Sequence, residues 1–360
     1  MSSYPGHPGQ AVVPDRRRPP AGSSRRPRPR ARSVSLVVAV ALSLLILGGL
    51  WDLSIGTSSM SLVDVVRAIF ASNASLSHQV VMTIRMPRVV LAIVVGCTLA
   101  VSGVLMQGAT ANPLAAPDVV GVSSGAALVS VLGTVVIAGV TGPALVLLSI
   151  GGAAGAALVV LAVAGAGQGR TGPVRLALAG VTVTAMLLAL TQAVLLFHQT
   201  GTAGVFFWLV GGVNFASWSD LVTVLPWSAA GMLGALWLAH RLNLLALGDD
   251  TARGLGLNVT RTRLLGVLFT VCLAGSAVAV AGPVAFVGLI VPHTARLLVG
   301  TNHAILIPVA GLLGATLVVL ADVACRYVQF PFETPTGVVT ALLGAPFFIY
   351  LARTQARARR

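Results

Sequence analysis

Residues 241–263 read RLNLLALGDDTARGLGLNVTRTR and lie between two long apolar runs. They form the longest polar interruption in an otherwise greasy chain, and they carry helix punctuation of their own. Asp249 and Asp250 stand where a short helix would begin, with Arg253 a turn later, the charge order that suits a helix dipole. Gly254 and Gly256 can stop that helix. Asn258 can cap a second short helix carrying Arg261 and Arg263. Two membrane spans need only a few residues to turn between them. A turn that holds two short helices at the membrane face offers another protein something to grip.

The rest of the chain supplies the membrane. Of 360 residues, 56% are hydrophobic and only 9% are charged, against about 25% charged in soluble domains. Apolar runs of the ~20 residues needed to cross a bilayer recur along nearly the whole length. Ten are expected, at about 34–51, 86–107, 119–140, 143–165, 174–197, 219–240, 264–282, 283–299, 304–325 and 335–352. The division between the seventh and eighth rests on Gly282-Pro283. The fold class predicted is an all-α membrane protein of ten transmembrane helices, because backbone polar groups in lipid must be satisfied within each segment. Abundant Gly and Ala would pack the bundle.

Formal charge is +14, and all 23 basic residues are arginine. An even number of spans puts both termini on one side. On that side fall nineteen of the 23: those of the two tails, with Arg170, Arg175, Arg241, Arg253, Arg261, Arg263 and Arg296. Arg67, Arg85, Arg88 and Arg326 fall on the other. The positive-inside bias makes both termini cytoplasmic, in a multi-pass protein of the cell membrane. Residues 1–33, rich in Pro, Gly, Ser and Arg, are expected to be a disordered cytoplasmic tail. Its arginines could meet nucleic acid or anionic lipid, but a solvated tail that fixes topology is the simpler expectation. The helical bundle then covers 34–352, and 353–360 is a basic cytoplasmic C-terminal tail. Cys97, Cys272 and Cys325 lie in apolar runs without paired spacing and read as packing residues. The histidines have no ligand spacing, so no metal site is expected.

Several segments can carry function. Ser61–Phe70 (SLVDVVRAIF) has the pattern of an amphipathic helix at the outer interface. Arg85 and Arg88 flank Met86-Pro87 at the outer edge of the second run, where guanidinium groups are costly unless they meet water or an anion. The residues alone leave headgroup anchoring and partner docking both open. For Arg326 there is also an internal partner, Asp322, four residues back on the same helix face. After the second run comes Asn112-Pro113-Leu114-Ala115-Ala116-Pro117-Asp118. Helix-breaking residues near membrane depth are tolerated where they line a cavity or are buried in protein. Asn112, Pro113 and Leu114 are therefore a candidate constriction of a pathway, with an ordinary tight turn as the plain alternative. Gly282, Pro283 and Gly288 interrupt the helix around residues 281–293, a pattern that often lines a substrate path, although Gly and Pro are also frequent packing residues in membrane helices. Gly121-Val122-Ser123-Ser124-Gly125 matches a nucleophile pattern, but that pattern has meaning only on a strand–turn–helix. Here it opens a membrane helix, so no catalytic residue is expected. With no lysine anywhere, the chain has no conventional Walker A motif. If ATP drives transport, another chain must hydrolyse it.

Taken in order, RMPR (85–88), GCTLAVSGVLMQG (96–108), NPLAAPDVVGVSSGAAL (112–128), LNLLALGDDTARGLGLNV (242–259), AGPVAFVGLIVPHTARLL (281–298), LADVACR (320–326) and ETPTGVVTALLGAPFFIYLA (333–352) resemble the FecCD-type permeases. These are membrane subunits of ABC importers for iron–siderophores, haem and cobalamin. The resemblance covers about 34–352. It implies a ten-span subunit paired with a second permease copy or homologue, two ATP-binding cassette subunits below and an extracytoplasmic substrate-binding protein above. ATP would be bound on those partner subunits, with no cofactor on this chain. The resemblance makes Leu245–Gly256 the ATPase-coupling element, with Leu245, Leu247, Gly248, Asp249, Asp250, Ala252, Arg253, Leu255 and Gly256 as its residues. It makes Asn112 and Leu114 part of a cytoplasmic gate, and Arg85, Arg88 and Arg326 the docking residues for the binding protein. The Ser/Thr cluster that the family often carries before the fifth span is replaced by Arg170-Thr171-Gly172-Pro173-Val174-Arg175, so that role is not carried over. An iron–siderophore is the expected cargo, with haem and cobalamin as alternatives within the family. Two other classes stand as rivals. A secondary transporter needs intramembrane carboxylates or an ion site, and the nine acids are expected near span ends or in loops. An intramembrane enzyme needs an acid/base or metal constellation, which the sequence does not offer.

Overall fold

The structure, a computed structural model, describes residues 31–56, 60–70, 76–137, 139–165, 173–198, 203–328 and 333–358. Among them there are helices and no strand. The expected tail and the Arg170–Gly172 segment lie outside the described residues, apart from the first turn of α1 (Ala31–Ser54).

After α1 the chain forms α2 (Leu62–Phe70), where Ser61 and Asp64 bond reciprocally at the helix start: the Asp64 N–H donates to Ser61 Oγ at 3.2 Å, and Ser61 Oγ donates to Asp64 Oδ2 at 2.6 Å. This is the amphipathic helix the sequence predicts. Val65 and Ala68 bury against Leu53, Val81 and Val89. Next come α3 (Leu76–Val80) and α4 (Met86–Thr110), joined through a π-helical turn at Val81–Arg85 into one unbroken rod. The second span therefore begins about ten residues before the expected start at 86. Pro87 has no N–H to give and its ring crowds the carbonyl of the preceding turn. The wider π turn, closed by the Met86 N–H on the Val81 carbonyl, lets the helix pass the proline and start before the residue at which the sequence places the span.

The remaining helices are α5 (Val122–Val131), continued by a π turn at Leu132–Val136, then α6 (Gly142–Gly165), α7 (Pro173–Phe197), α8 (Ala203–Leu209), α9 (Trp218–Leu245), α10 (Asp249–Gly254), α11 (Val259–Ala281), α12 (Val287–Val299), α13 (His303–Val328) and α14 (Thr336–Ala358). Seven described helices are long and apolar enough to cross a membrane, and Val122–Val136, Val287–Val299 and Thr336–Tyr350 are shorter apolar helices. The third segment is shorter than the expected 119–140, because 112–121 stays non-helical and α5 starts only at Val122. The second short helix expected after Asn258 is instead the first turn of α11. Asn258 does cap it, its Oδ1 accepting from the Arg261 N–H at 2.9 Å, but nothing between Arg263 and Leu264 stops the helix. At the other end α14 runs through the basic residues to Ala358.

α4 is the hub, packed against α9, α11, α12 and α13, and apolar on all sides as a central helix must be. Its close approaches are made at glycines. A Cβ on Gly103 would stand 1.9 Å from the Gly288 carbonyl oxygen, and one on Gly96 would stand 2.3 Å from that of Gly314. Backbone cannot yield as a flexible side chain does, so Gly103→Val is expected to lower unfolding stability of the purified protein by several kcal/mol, about the upper end of single-substitution effects. Gly151→Val, where a Cβ meets open space, should leave thermal unfolding in detergent unchanged. Cys97, Cys272 and Cys325 are free, and Cys325 is buried. α1 and α7 expose much of their apolar surface.

Candidate functional site

Three places gather the residues singled out above. The first is the loop between α9 and α11. Gly248, with φ 99°, is the N-cap of α10, and Gly256, with φ 81°, ends the turn that follows. Both conformations favour glycine. The acidic start and basic end of α10 also pair with each other: Arg253 lies 3.0 Å from Asp250 and 3.8 Å from Asp249. Arg263 of α11 reaches Asp249 at 2.8 Å, tying the short helix to the next span. Leu245 and Ala252 point into the core. Leu247 and Leu255 do the opposite, at 60% and 59% exposure. A rigid, charged element thus presents two large apolar side chains outward. Beside it lies a cavity of about 280 Å³ lined by Arg241, Gly256, Leu257, Asn258, Arg261 and Thr262.

The second place joins two helix interruptions. Ala111, with φ 50°, closes α4, and Asn112 forms a local turn, its Oδ1 accepting from the Leu114 N–H at 3.0 Å. Pro113 is exposed, while Asn112 and Leu114 are half-buried. Further along the same loop, Asp118 accepts from the Ser123 hydroxyl and from the backbone N–H of Phe286. Phe286 has φ 67°, a conformation costly for a bulky residue. It sits in the break between α11 and α12 that begins at Gly282-Pro283, as expected. Gly282 packs on the Trp208 carbonyl, and Gly288 packs against Leu99, Gly103 and Pro117. Gly282 and Gly288 therefore act at close backbone approaches within the subunit, and the two interruptions meet through Asp118 and Pro117. The sequence does not single out Asp118, because the partner that links the two interruptions, Phe286, lies far along the chain.

The third place is at the opposite end. Arg85, Arg88 and Arg326 come together as the sequence reading supposed, but they are buried, at 4%, 4% and 8% exposure. Arg88 holds Asp322 with a two-pronged contact, Nε to Oδ2 at 2.7 Å and NH2 to Oδ1 at 3.0 Å. Its remaining nitrogen, NH1, lies 2.9 Å from both oxygens of Glu333. Arg326 lies 2.9 Å from Asp52 Oδ1 and 3.6 Å from Asp322 Oδ2. It also donates to the Ile55 carbonyl at 2.6 Å, as Arg85 does to the Leu53 carbonyl at 2.7 Å. Two guanidinium groups thus cap the open carbonyls at the end of α1, where the helix dipole is negative. Thr336 Oγ1 donates to Asp322 Oδ1 at 2.9 Å, bringing in the start of α14, and Asn214 Nδ2 donates to Glu333 Oε2 at 2.9 Å. Of these partners only Asp322 was named from sequence. Asp52 ends the first apolar run and Glu333 opens the last. A carboxylate at such a boundary was the available signal, but nothing local says which arginine it meets.

Comparison with known proteins follows from this architecture. The model of the FecCD transport family matches residues 44–354. The Fe(3+)-citrate import system permease protein YfmD of Bacillus subtilis is 39% identical over 310 residues, spanning 86% of this chain and 92% of that protein. The iron(3+)-hydroxamate import system permease protein FhuB of the same organism is 40% identical over 315 residues, 87% of this chain and 82% of that one. A solved inward-facing conformation of a metal-chelate type ABC transporter superposes with a TM-score of 0.75 at 30% identity, covering 89% of this chain and 99% of that one. The helical bundle, the ordered motifs and these matches agree that the chain belongs to the FecCD transport family, as a membrane permease.

Proposed function

We propose that this chain is the ten-span translocation subunit of an ATP-driven importer for an iron(III) chelate, with ATP hydrolysed on separate cassette subunits. The observation that carries the coupling half of this reading is the pair Leu247 and Leu255, large apolar residues held exposed on a braced, charged loop. Lone surface leucines are ordinary, but two on one rigid polar element have the pattern of interface anchors. Cargo class is supported by the iron-chelate permeases that the chain resembles. A second permease copy or homologue would pair with this one, and the path would run between the two. Asn112–Leu114 would narrow it toward the cytoplasm, and the Gly282–Gly288 break would line it nearer the outer end.

The extracytoplasmic substrate-binding protein would dock over Arg85, Arg88 and Arg326 through its own carboxylates. Both termini would be cytoplasmic. Cysteines placed at Phe70 and at Thr251 should then react with a membrane-impermeant thiol reagent from opposite faces, Phe70 in intact cells and Thr251 only after permeabilisation. Labelling of both in intact cells would overturn the orientation. For cargo, cells lacking the subunit should lose uptake of one labelled ferric chelate from a panel of ferric citrate, ferric hydroxamates and catecholates, haem and cobalamin. Loss confined to haem or cobalamin would replace the iron-chelate assignment.

A further inference from the structure

The outer cluster is closed on itself. Three guanidinium groups, Arg85, Arg88 and Arg326, face three carboxyl groups, Asp52, Asp322 and Glu333, so no surplus positive charge is on offer to a partner. The three acids are not equivalent, however. The side chains of Asp52 and Asp322 are 0% exposed, whereas that of Glu333 is 50% exposed. Asp322 is held by three hydrogen bonds, two from Arg88 and one from Thr336, with the Arg326 guanidinium 3.6 Å away. Glu333 touches Arg88 only through NH1, and its other bond is to the half-buried Asn214. Removing Asp322 would strand buried charge. Releasing Glu333 returns a carboxylate to water at little cost and uncovers one edge of a guanidinium already oriented by Asp322.

We propose that Glu333 is a placeholder on Arg88 NH1, and that a carboxylate of the docked substrate-binding protein takes its position. This rests on the docking reading above and adds the group that must leave. The fit of the position for a carboxylate is demonstrated by Glu333 itself, both of whose oxygens lie 2.9 Å from NH1. Exchange would carry a consequence. Glu333 ties Asn214, in the loop after α8, to Arg88 on α4. The same loop is stitched to its neighbours by backbone bonds, from the Gly212 N–H to the Ala281 carbonyl at 2.7 Å and from the Gly337 N–H to the Gly211 carbonyl at 2.8 Å. Docking would therefore loosen the junction where α8, α11 and α14 meet at the outer end.

The test uses the full importer in lipid nanodiscs with its own substrate-binding protein as the probe. Glu333→Gln keeps the size and a hydrogen bond to Asn214 but gives up the charge. It should bind the probe about tenfold more tightly, the low end of measured couplings for interfacial charge pairs. Association should be faster and more salt-sensitive. In parallel, the acids on the probe's docking face are changed to amides, which leaves the permease untouched and avoids any folding defect in it. Tightening by Glu333→Gln that disappears with the amidated probe supports the exchange. Unchanged or weaker binding by Glu333→Gln, with the amidated probe losing affinity, overturns the placeholder and leaves docking intact. An amidated probe that binds wild type as tightly as the native one overturns both, whatever Glu333→Gln does.

Discussion

Replacing Leu247 and Leu255 together by aspartate is expected to release the ATPase subunits from the permease. Each leucine leaves more than half of its surface uncovered in the isolated subunit, on an element braced at both ends. Gly248 and Gly256 set the turns, Ala252 anchors α10 in the core, and Arg263 clamps Asp249. Anchors that enter a partner's cleft typically contribute at least about 2 kcal/mol each, roughly thirtyfold in affinity per position. Burying aspartate there adds a desolvation cost. The subunit itself should fold, because both positions face solvent. Co-purification should lose the ATPase, and uptake should stop, while the unfolding midpoint of the permease alone stays at the wild-type value. An assembled, active transporter carrying both substitutions would remove α10 from the coupling role.

Asp322→Asn should produce the largest loss of stability at any single polar position. The carboxylate sits at 0% exposure between two buried arginines. Its amide replacement cannot balance their charge, and it would place an NH2 group against a guanidinium. Breaking a buried ion pair by removing one partner costs about 3–5 kcal/mol. Because Asp322 joins α4, α13 and the first residue of α14, and Arg326 carries the link on to α1, the effect should be global unfolding and not a local fray. Thermal denaturation in detergent would show it. Glu333→Gln is the control: its charge is half in water, where a pair contributes about 0–1 kcal/mol, so stability should hardly move. If both variants melt together with wild type, the cluster is not the outer clamp of the bundle.

Much of the helix layout follows from composition alone, and α10 shows why. Asp249, Asp250, Arg253, Gly254 and Gly256 act on their own backbone within one or two turns, so their meaning is local. The helix break at Gly282-Pro283 is legible for the same reason. Errors arose where a local rule was overridden by what packs around it. Pro87 should end a helix, yet a π turn carries α4 back to α3. Arg261 and Arg263 read as part of a second short helix, yet they ride on the first turns of α11.

The sequence by itself determined that this chain crosses a membrane as a helical bundle, that it carries no conventional Walker A motif, and that its α9–α11 loop is a structured element. Hydrophobic run length, the absence of lysine and helix capping are all properties of neighbouring residues. Only the tertiary structure decided what the outer arginines do. Read along the chain, Arg85 and Arg88 are charges at a span end with no local partner in the sequence, and Arg326 has only Asp322 beside it. In the fold they meet Asp52, Asp322 and Glu333, the last 245 residues from Arg88, in one charge cluster. Charge in a low-dielectric interior is governed by whichever groups the packing brings within a few ångströms, and no local pattern encodes that distance.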